Sequence, residues 1–441
     1  MQMLKKFFNQ VRTLYSHMRT TYDIVWSFRG IFLALFGPLR RLPEDVDYLF
    51  ICHDVHRHSQ LDGKLYAPLI DPIFQELSQF GRCLTLAAPF SRLRGDNCFG
   101  DVRVSNFNVL LALLKRVLVR KSPKLLRIEG DPLVNAYLGL LSQLRPNVII
   151  GIQPSIELCC AARKLDITVY DMQHGVISDV NYYSIVKRQQ FDQVGWPDAV
   201  LCWDKVSADR VKKISSGHVK SRIIGNPAYH SKYGLRMKSH HRSGKTLNQE
   251  YKENILITLT YQDFDSRISY LRNFSDKFFV GIGIPKQLVD LINNSPQIFW
   301  RIRLHPVQTK FNQQEVHEFL DRTFVRSENI DWINFSAVPL SAALFECSGH
   351  ITVDSAASVD AAQNGVPTLL VSCPGWSDKA KVYDYFGEYI AADIMKFTEA
   401  SELSSRSLDF FTEKGAGSKS DSNSDSETAF RKFIESVRAT G

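Results

Sequence analysis

The sequence from His350 to Val371 is HITVDSAASVDAAQNGVPTLLV, and it decides the fold class. Both ends are apolar and rich in β-branched residues, which predicts two strands. The small residues from Ala356 to Asn364 predict a helix between the strands, with Ser355 as its N-cap and Gly365 just past its end. Strands that alternate with helices pair in parallel and are covered on both faces, so this unit predicts an α/β protein.

The same alternation occurs on both sides of a polar segment, residues 231–253, which is typical of an interdomain linker. We therefore predict one domain at residues 46–230 and a second at 254–395. Residues 396–441 are expected to hold a mobile serine-rich segment and a last helix. The predicted strands are 47–52, 83–87, 125–128, 148–151, 168–172, 199–203 and 222–225 in the first domain, and 254–259, 298–304, 350–353 and 367–371 in the second.

The composition is that of an ordinary globular protein, with 441 residues of which 44% are hydrophobic and 23% charged. No apolar run reaches the length of about 18 residues that a transmembrane helix needs, and no secretory signal is visible. The 8 cysteines include no C-x-x-C pair, which favours reduced thiols over a disulfide scaffold. These features predict a cytoplasmic protein.

The net charge of +8 is concentrated near the N-terminus, because residues 1–41 hold seven Lys or Arg and one acid, Asp23. The rest of the chain is nearly neutral, so we expect no nucleic-acid partner. Aromatic residues such as Phe7, Trp26 and Phe36 recur among the basic ones. This pattern predicts a basic amphipathic helix at the membrane surface, with a helix packed on its own protein as the alternative.

Ligands of parallel sheets bind beyond the carboxyl ends of the strands, so the residues that follow each strand are the first candidates. In the second domain, His305 can donate to a phosphate oxygen, and the small helix start at Ser355 can present free N–H groups to an anion. A capping histidine and an ordinary capped helix are the alternatives. The candidate donor- or nucleotide-binding residues are Thr260, Arg303, His305, Pro306, Ser355, Ala356 and Ser358.

The first domain has candidates for chemistry on the acceptor. Glu129 and Asp131 follow the predicted strand 125–128 and could act as a general base, although Asp131 could equally be a turn or N-cap residue. His174 follows the strand 168–172 and could orient an acceptor or a diphosphate, or be a buried histidine with satisfied hydrogen bonds. The acceptor-binding candidates are Asp54, Asp62 and Lys64.

Two sequence patterns resemble metal-binding motifs. His53, His56 and His58 have metal-like spacing but no Cys or Glu companions nearby, so we expect no zinc there. The D-x-D tripeptide at Asp263 and Asp265 is short enough to occur by chance, and we interpret it as a helix start. The sequence therefore predicts no metal.

The sequence contains four short motifs: Gln173-His174-Gly175, Gly225-Asn226-Pro227, Leu304-His305-Pro306, and Asp354 to Ser358 with Gly365-Val366-Pro367. Their order resembles that in bacterial surface-polysaccharide glycosyltransferases of the GT-B type. The resemblance covers roughly residues 47–395 and is closest to capsule and lipopolysaccharide synthesis enzymes. These include Kdo and sialic acid transferases and the teichoic-acid polymerase-like proteins.

The resemblance implies a GT-B fold, in which two Rossmann-like domains with parallel sheets face a central cleft. It also implies a nucleotide-sugar donor, with no cofactor and no catalytic metal. In that scheme His305 contacts the donor phosphate, and Ser355 and Ser358 hold it. Glu129 resembles the acid of the acid-acid-Gly motif of sialyltransferases, but Ile128 stands where the motif has its first acid.

The expected function is transfer of a sugar from a CMP-, UDP- or GDP-linked donor to a surface polysaccharide or lipid-linked glycan. Residues 1–41 would hold the protein at the inner face of the cytoplasmic membrane. One alternative is a polyol-phosphotransferase of the teichoic-acid type that uses a CDP-alcohol. Another is a non-catalytic assembly subunit that keeps the fold.

Overall fold

A computed structural model describes most of the chain from residue 42 onward. The predicted N-terminal helix, the strand predicted at 125–128 and most of the predicted linker lie outside the described residues. In the described part, no helix combines the length and the apolar character needed to cross a membrane. The described residues are 42–53, 56–57, 59–87, 91, 97–104, 131–177, 195–230, 251, 253–259, 284–311, 313–324, 328–333, 335–336, 340–353, 355–372, 386–387, 389–391, 393–415 and 422–439.

The described strands of the first unit form one seven-stranded sheet, in which every pairing is parallel. Its order is β5-β4-β1-β6-β7-β8-β9. The strands are β1 (Tyr48–Ile51), β4 (Cys83–Ala87), β5 (Val102–Val104), β6 (Val148–Gly151), β7 (Thr168–Met172), β8 (Ala199–Cys202) and β9 (Lys220–Ile223). Two short strands, β2 (Ser59–Leu61) and β3 (Lys64–Tyr66), follow β1 in the chain.

Four described helices accompany this sheet, and side chains cap three of them. Asp131, Ser155 and Asp204 each accept a hydrogen bond from a backbone N–H in the first turn of the helix that follows. The helices are α1 (Asp71–Leu77), α2 (Pro132–Leu144), α3 (Ile156–Lys164) and α4 (Lys205–Ile214). Leucines and alanines of α2 and α3 pack with one face of the sheet to form a buried core.

The described strands of the second unit form a six-stranded parallel sheet in the order β12-β11-β10-β13-β14-β15. One face packs Ile255, Trp300 and Ile351 into the largest described core. The strands are β10 (Glu253–Thr258), β11 (Ile298–Arg303), β12 (Ile330–Asp331), β13 (Gly349–Thr352), β14 (Thr368–Ser372) and β15 (Met395–Glu399).

Helices connect these strands, and residues 386–387 and 389–391 are also helical. The last helix begins in the second unit, and its residues from Ala429 onward belong to the first, where Phe433 lies edge-on to Tyr170 at 5.6 Å. The helices are α5 (Lys286–Asn293), α6 (Pro306–Phe311), α7 (Gln313–Thr323), α8 (Leu340–Phe345), α9 (Ala357–Gln363), α10 (Asp409–Gly415) and α11 (Ser422–Arg438), with 3-10 turns at Pro227–Tyr229, Ala400–Glu402 and Ser405–Leu408.

The structure confirms the α/β class with two parallel sheets. The described predicted strands all occur, most of them within one or two residues of the predicted bounds. Strands β2, β3, β5, β12 and β15 were not predicted. The first four are only two or three residues long, and β15 has few apolar residues to mark it. The chain divides between Pro227 and Ala228, near the predicted boundary at residue 230, and the second unit extends to Thr428, beyond the predicted residue 395.

Candidate functional site

Each sheet contains a topological switch point, at which the chain changes the direction in which it adds strands. In the first sheet the chain passes from β1 to β4 and β5 on one side and then adds β6 on the other side of β1. In the second sheet it passes from β10 to β11 and β12 and then adds β13 on the other side of β10. Ligands of open α/β sheets bind beyond the carboxyl ends of the strands at such points. The candidate sites are therefore the first switch point, between β1 and β6, and the second, between β10 and β13.

Hydroxyl groups occupy the second switch point. The Oγ1 of Thr352, at the end of β13, donates to the carbonyl of Thr258, at the end of β10, at 3.0 Å. The same Thr352 oxygen accepts from the backbone N–H of Ser355 at 3.3 Å. Both threonines are buried. These bonds fix the two strand ends and the start of the following loop relative to each other.

A buried histidine continues this polar arrangement into the sheet. His350 of β13 is fully buried, with its Nε2 at 2.9 Å from Thr258 Oγ1 and its Nδ1 at 3.3 Å from Thr368 Oγ1. Burial lowers the pKa of His350 to about 3, so the ring is neutral at physiological pH. Sequence reasoning used His350 only as a strand residue, since a single histidine in an apolar run gives no sign of its cross-strand partners.

His305 follows β11, next to β10 at the same carboxyl edge. Its backbone N–H donates to Gln308 Oε1 at 2.8 Å, and its carbonyl accepts from the N–H of Thr309 at 3.0 Å. Because these bonds begin helix α6, Pro306 stands as its first residue, which needs no intrahelical donor. Burial lowers the pKa of His305 to about 4, so at pH 7 its ring offers one N–H donor and no positive charge.

The start of helix α9 differs from the prediction of free amides. The N–H of Ala357 donates to Ser355 Oγ at 3.2 Å, and the N–H of Ser358 donates to the Ser355 carbonyl at 3.0 Å. The Ser358 hydroxyl also donates to that carbonyl, at 2.8 Å, and the residue is fully buried. This tight turn uses those donors internally. Ser355 and Ala356 are partly exposed there, whereas Ser358 has a structural role in this arrangement.

Arg303, the last residue of β11, is buried and donates to the carbonyl of Phe335 at 2.7 Å. Burial lowers its pKa to about 10, although Tyr229 and Asp360 oppose that shift. The Tyr229 hydroxyl donates to Asp360 Oδ1 at 3.1 Å, and burial beside this carboxylate raises the tyrosine pKa. Arg303 thus belongs to a buried charged group of the second unit that the sequence did not predict.

Imidazole rings occupy the first switch point. His56 follows β1 and lies edge-on to His174, which follows β7, with their ring centroids 5.4 Å apart. The His53 ring is 6.3 Å from that of His56. The pKa of His174 is lowered to about 4, chiefly by burial and additionally by the charge of His53. We call these three residues the histidine cluster. The sequence named His174 as a candidate for orienting the acceptor, whereas His53 and His56 were considered as a metal pattern and set aside.

A buried ion pair fixes the loop that carries His53 and His56. The guanidinium of Arg57 donates to both carboxylate oxygens of Asp71, each at 2.9 Å, and to the Phe99 carbonyl at 3.0 Å. Neither side chain of the ion pair is more than 2% exposed. Burial raises the pKa of Asp71 to about 6 in spite of the arginine and of the hydrogen bond from the Ala67 N–H. Sequence reasoning missed this pair, because the two residues are separated in the chain and only the fold brings them together.

Gln173 fixes the other side of the histidine cluster. Its Nε2 donates to the Gly175 carbonyl at 3.0 Å and to Ser207 Oγ at 2.9 Å, and its Oε1 accepts from the Trp203 N–H at 2.8 Å. Its side chain is buried. The glutamine of the Gln173-His174-Gly175 motif therefore joins the ends of β7 and β8 to helix α4, and positions His174.

The predicted catalytic acids have different outcomes. Asp131 is buried and accepts from the Leu133 N–H at 2.7 Å, which makes it the N-cap of α2, the alternative that the sequence left open. Glu129 lies outside the described residues, as do Thr260 and Asp54. Asp62 and Lys64 are exposed, with Asp62 at a φ of 52° in the turn before β3. Among the described residues, no group of His, Cys, Asp and Glu is arranged to hold a metal ion.

No protein-family model and no curated protein matches this chain. Among solved structures, it resembles UDP-GlcNAc 2-epimerase from Neisseria meningitidis bound to UDP-GlcNAc, at 13% identity and a TM-score of 0.52, over 89% of this chain and 99% of that one. It also resembles S. aureus MnaA with UDP, at 12% identity and a TM-score of 0.53, over 89% and 96% of the two chains. MurG from Acinetobacter baumannii matches at 11% identity and a TM-score of 0.45, over 90% and 100% of the two chains.

At such low identities a structural match shows the fold alone. The two proteins with TM-scores of 0.52 and 0.53 are covered almost completely, so the match extends over both units and is not limited to one Rossmann-like sheet. The two parallel sheets, each with its own switch point, agree with that match. The chain therefore has the α/β GT-B fold.

Proposed function

We propose that this protein is a glycosyltransferase that moves a sugar from a nucleotide-sugar donor to a surface polysaccharide or lipid-linked glycan. The observation that carries the proposal is the second switch point. There His305 follows β11 while Ser355 follows β13, so that an imidazole N–H and a hydroxyl flank the end of β10 at one sheet edge. Neighbouring strands are about 5 Å apart, so β11 and β13, on the two sides of β10, are about 10 Å apart. A diphosphate that accepts a hydrogen bond at each end can bridge a gap of this size.

The solved neighbours support a nucleotide-sugar as the ligand. The Neisseria meningitidis epimerase is bound to UDP-GlcNAc, and S. aureus MnaA is bound to UDP. A uridine nucleotide is accordingly the first donor to test, ahead of CMP- and GDP-linked sugars. The acceptor, and the capsule or lipopolysaccharide to which it would belong, rest on the motif resemblance.

The proposed mechanism uses the chain's own residues and no metal or cofactor. Glu129, or Asp131 if its cap is released, takes the proton of the acceptor hydroxyl. His305 donates an N–H to the departing nucleotide phosphate, on which negative charge develops in the transition state. His305 is neutral at pH 7. Arg303, two residues earlier in the chain, keeps its charge at that pH and is the candidate that supplies positive charge. His174 orients the acceptor.

A second candidate is epimerisation of a nucleotide-sugar, because the two solved neighbours with TM-scores of 0.52 and 0.53 are a UDP-GlcNAc 2-epimerase and MnaA. The two reactions differ in their need for an acceptor. An epimerase converts the donor alone and exchanges a sugar C–H proton with D2O, whereas a transferase releases nucleotide only as an acceptor is glycosylated. Proton NMR of UDP-GlcNAc incubated with the protein, with and without glycan, separates them. A phosphodiester on the acceptor by mass spectrometry would instead indicate the polyol-phosphotransferase.

The nucleotide site is tested by thermal shift with UDP, CMP, GDP and CDP. A ligand that binds only the native state raises the melting temperature by mass action, so we expect one base to give a clear shift. His305→Ala should remove most of that shift. His218→Ala is the matched control, because His218 is an exposed histidine of the first unit that precedes β9, at the amino end of that strand. Equal shifts in both variants would contradict the phosphate role of His305.

The identity of the base is tested by amide substitutions. Asparagine is as good an N-cap as aspartate, so Asp131→Asn keeps the helix cap while removing the acid. If Asp131 only caps α2, the variant keeps wild-type stability and transfer. If Asp131 is the base, transfer falls about 10²- to 10⁴-fold at unchanged stability. Glu129→Gln is the matched comparison, and we expect the large loss there.

We further propose that the protein acts at the inner face of the cytoplasmic membrane through residues 1–41, whose charge and aromatic content suit anionic lipid. Flotation with vesicles that contain phosphatidylglycerol is the test. The full chain should float with them and remain in solution with phosphatidylcholine alone, whereas a chain that lacks residues 2–41 should not float. Flotation of the shortened chain would assign the contact to another part of the protein.

A further inference from the structure

The histidine cluster is a group of polar side chains that the proposed donor site does not use. His53 and His56 come from the loop after β1, and His174 comes from the end of β7. Strand β6 lies between these two strands in the sheet, so the rings meet above its carboxyl end, beside the first switch point. This is the place where an open parallel sheet binds a ligand.

Both segments that carry the rings are held in place by buried hydrogen bonds. The Arg57–Asp71 ion pair fixes the loop of His53 and His56, and the hydrogen bonds of Gln173 fix the end of β7. His53 is exposed, whereas His56 and His174 are mostly buried. The cluster therefore has an exposed entry, a rigid support and little freedom to separate, which are the features of a preorganised binding group.

The chemistry of three adjacent imidazoles favours an anion. Each ring carries at least one N–H donor in either protonation state, and each gains a positive charge when protonated. The charge of His53 acts on His174, so protonated rings repel each other. An anionic group placed among them removes that repulsion and accepts their hydrogen bonds, whereas a neutral hydroxyl does only the second.

We infer that the histidine cluster binds an anionic group, a phosphate or a carboxylate, on the acceptor glycan. The inference rests on the proposed function, because that function makes the first unit the acceptor side and assigns the donor phosphates to His305 and Ser355. Charged sugars and phosphate-linked glycans both carry such a group. The cluster thereby selects an anionic acceptor and holds it at the first switch point.

Three ligands with one sugar ring test the inference on the full chain: glucose 6-phosphate, glucuronate and neutral glucose. Binding is measured by ligand-observed NMR titration. We expect at least one of the two anionic sugars to bind and glucose not to bind, and the preferred anion identifies phosphate or carboxylate. His53→Gln and His56→Gln, singly and together, should weaken binding, by roughly tenfold or more for the double variant, since charge-assisted hydrogen bonds are lost. His218→Gln is the matched control and should bind as the wild type does.

Saturating UDP or CMP should leave this binding unchanged. The inference is overturned if glucose binds as well as the anionic sugars, if neither anion binds, or if the double variant binds as the wild type does. It is also overturned if nucleotide displaces the sugar, because that would place the cluster on the donor side. Far-UV circular dichroism and the melting temperature establish that each variant is folded, and both mutated side chains have solvent access. The nucleotide thermal shift is measured on the same samples. If it persists while anion binding fails, this inference fails and the nucleotide site of the proposed function stands.

Discussion

The two switch points use different chemistry for the same topological position. At the first, imidazole rings are supported by a buried ion pair and a buried glutamine. At the second, hydroxyl groups and a neutral buried histidine bond to each other and to the backbone. The loop at the first switch point thus depends on a buried ion pair. The bonds that join β10 to β13 at the second are neutral, although the buried charges of Arg303 and Asp360 lie elsewhere in the second unit. We expect the first to lose more stability when one partner is removed.

The difference follows from where each polar group lies along its strand. His350 and Thr258 lie within the second sheet, where their cross-strand neighbours satisfy them. Arg57 lies in a loop after β1, beyond the ladder of the sheet, and depends on a single carboxylate from α1 for its charge. His350 therefore has two neutral hydroxyl partners on neighbouring strands, whereas the charge of Arg57 is balanced by the Asp71 carboxylate.

The largest expected effect is that of Asp71→Asn, which leaves the Arg57 charge buried beside a neutral amide. Breaking a buried ion pair costs about 3–5 kcal/mol of unfolding free energy. Urea unfolding at pH 8, where Asp71 is charged in both states, measures it. The control is Asp290→Asn, which breaks the exposed Lys286–Asp290 pair at 2.7 Å and should cost at most about 0.5 kcal/mol. Equal costs in the two variants would contradict the dependence of the loop at the first switch point on a buried ion pair.

Next in size is Gln173→Leu, which keeps the side-chain volume and removes three hydrogen bonds. Because the Trp203 N–H then remains buried without its acceptor, we expect a loss of about 2–3 kcal/mol. Gln79→Leu, at an exposed glutamine, should change stability by less than about 0.5 kcal/mol. Thermal and urea unfolding provide the values. A small loss for Gln173→Leu would mean that Gln173 does not join β7 to β8 as described.

The third prediction concerns how the buried His350, near the second switch point, lowers the stability of the protein at acid pH. The folded pKa of His350, about 3, lies below its ordinary value of 6.5, so the unfolded chain binds more protons between these values. Its contribution to stability is complete above pH 6.5 and is lost as the pH falls, at about 1.4 kcal/mol per pH unit.

His350→Asn should remove about one proton from the pH dependence of unfolding between pH 6.5 and 4. The comparison is made between variants because other groups contribute in this range: the lowered pKa values of His174 and His305 act in the same direction, and the raised pKa of Asp71 acts in the opposite one. His218→Asn, at an exposed histidine, should keep the wild-type slope. An unchanged slope in His350→Asn would show that the ring is not buried and neutral.

The smallest expected effect is the loss of stability when a side chain that caps a helix start is removed. It is compared at Asp131, which caps α2, and at Ser355, near the start of α9. Asp131 caps α2 through a 2.7 Å bond, whereas Ser355 accepts from Ala357 at 3.2 Å near the start of the shorter α9. Asp131→Ala should cost about 1 kcal/mol, and Ser355→Ala a few tenths. Differential scanning calorimetry resolves a difference of this size. The reverse order would indicate that Ser355 stabilises the start of α9 more than Asp131 stabilises the start of α2.

Much of the site could be predicted from the sequence because it follows directly from strand ends. The apolar strand before His305 and the small residues after Thr352 are local signals, and parallel pairing brings their carboxyl ends to one edge. Gln173 shows the limit of this reasoning. Its motif was recognised, yet its role depends on Trp203 and Ser207, which lie about thirty residues further along the chain.

The sequence by itself determined the alternation of strands and helices, the two parallel sheets and the side chains at their carboxyl ends, because hydrophobic periodicity, caps and turn residues act over a few neighbours. Only the tertiary structure decided the strand order, and with it the two switch points, the contact of His56 with His174, the Arg57–Asp71 pair and the burial that keeps His305 and His350 neutral. The physical reason is that strand order and desolvation depend on groups distant in the chain, whose partners no local pattern specifies.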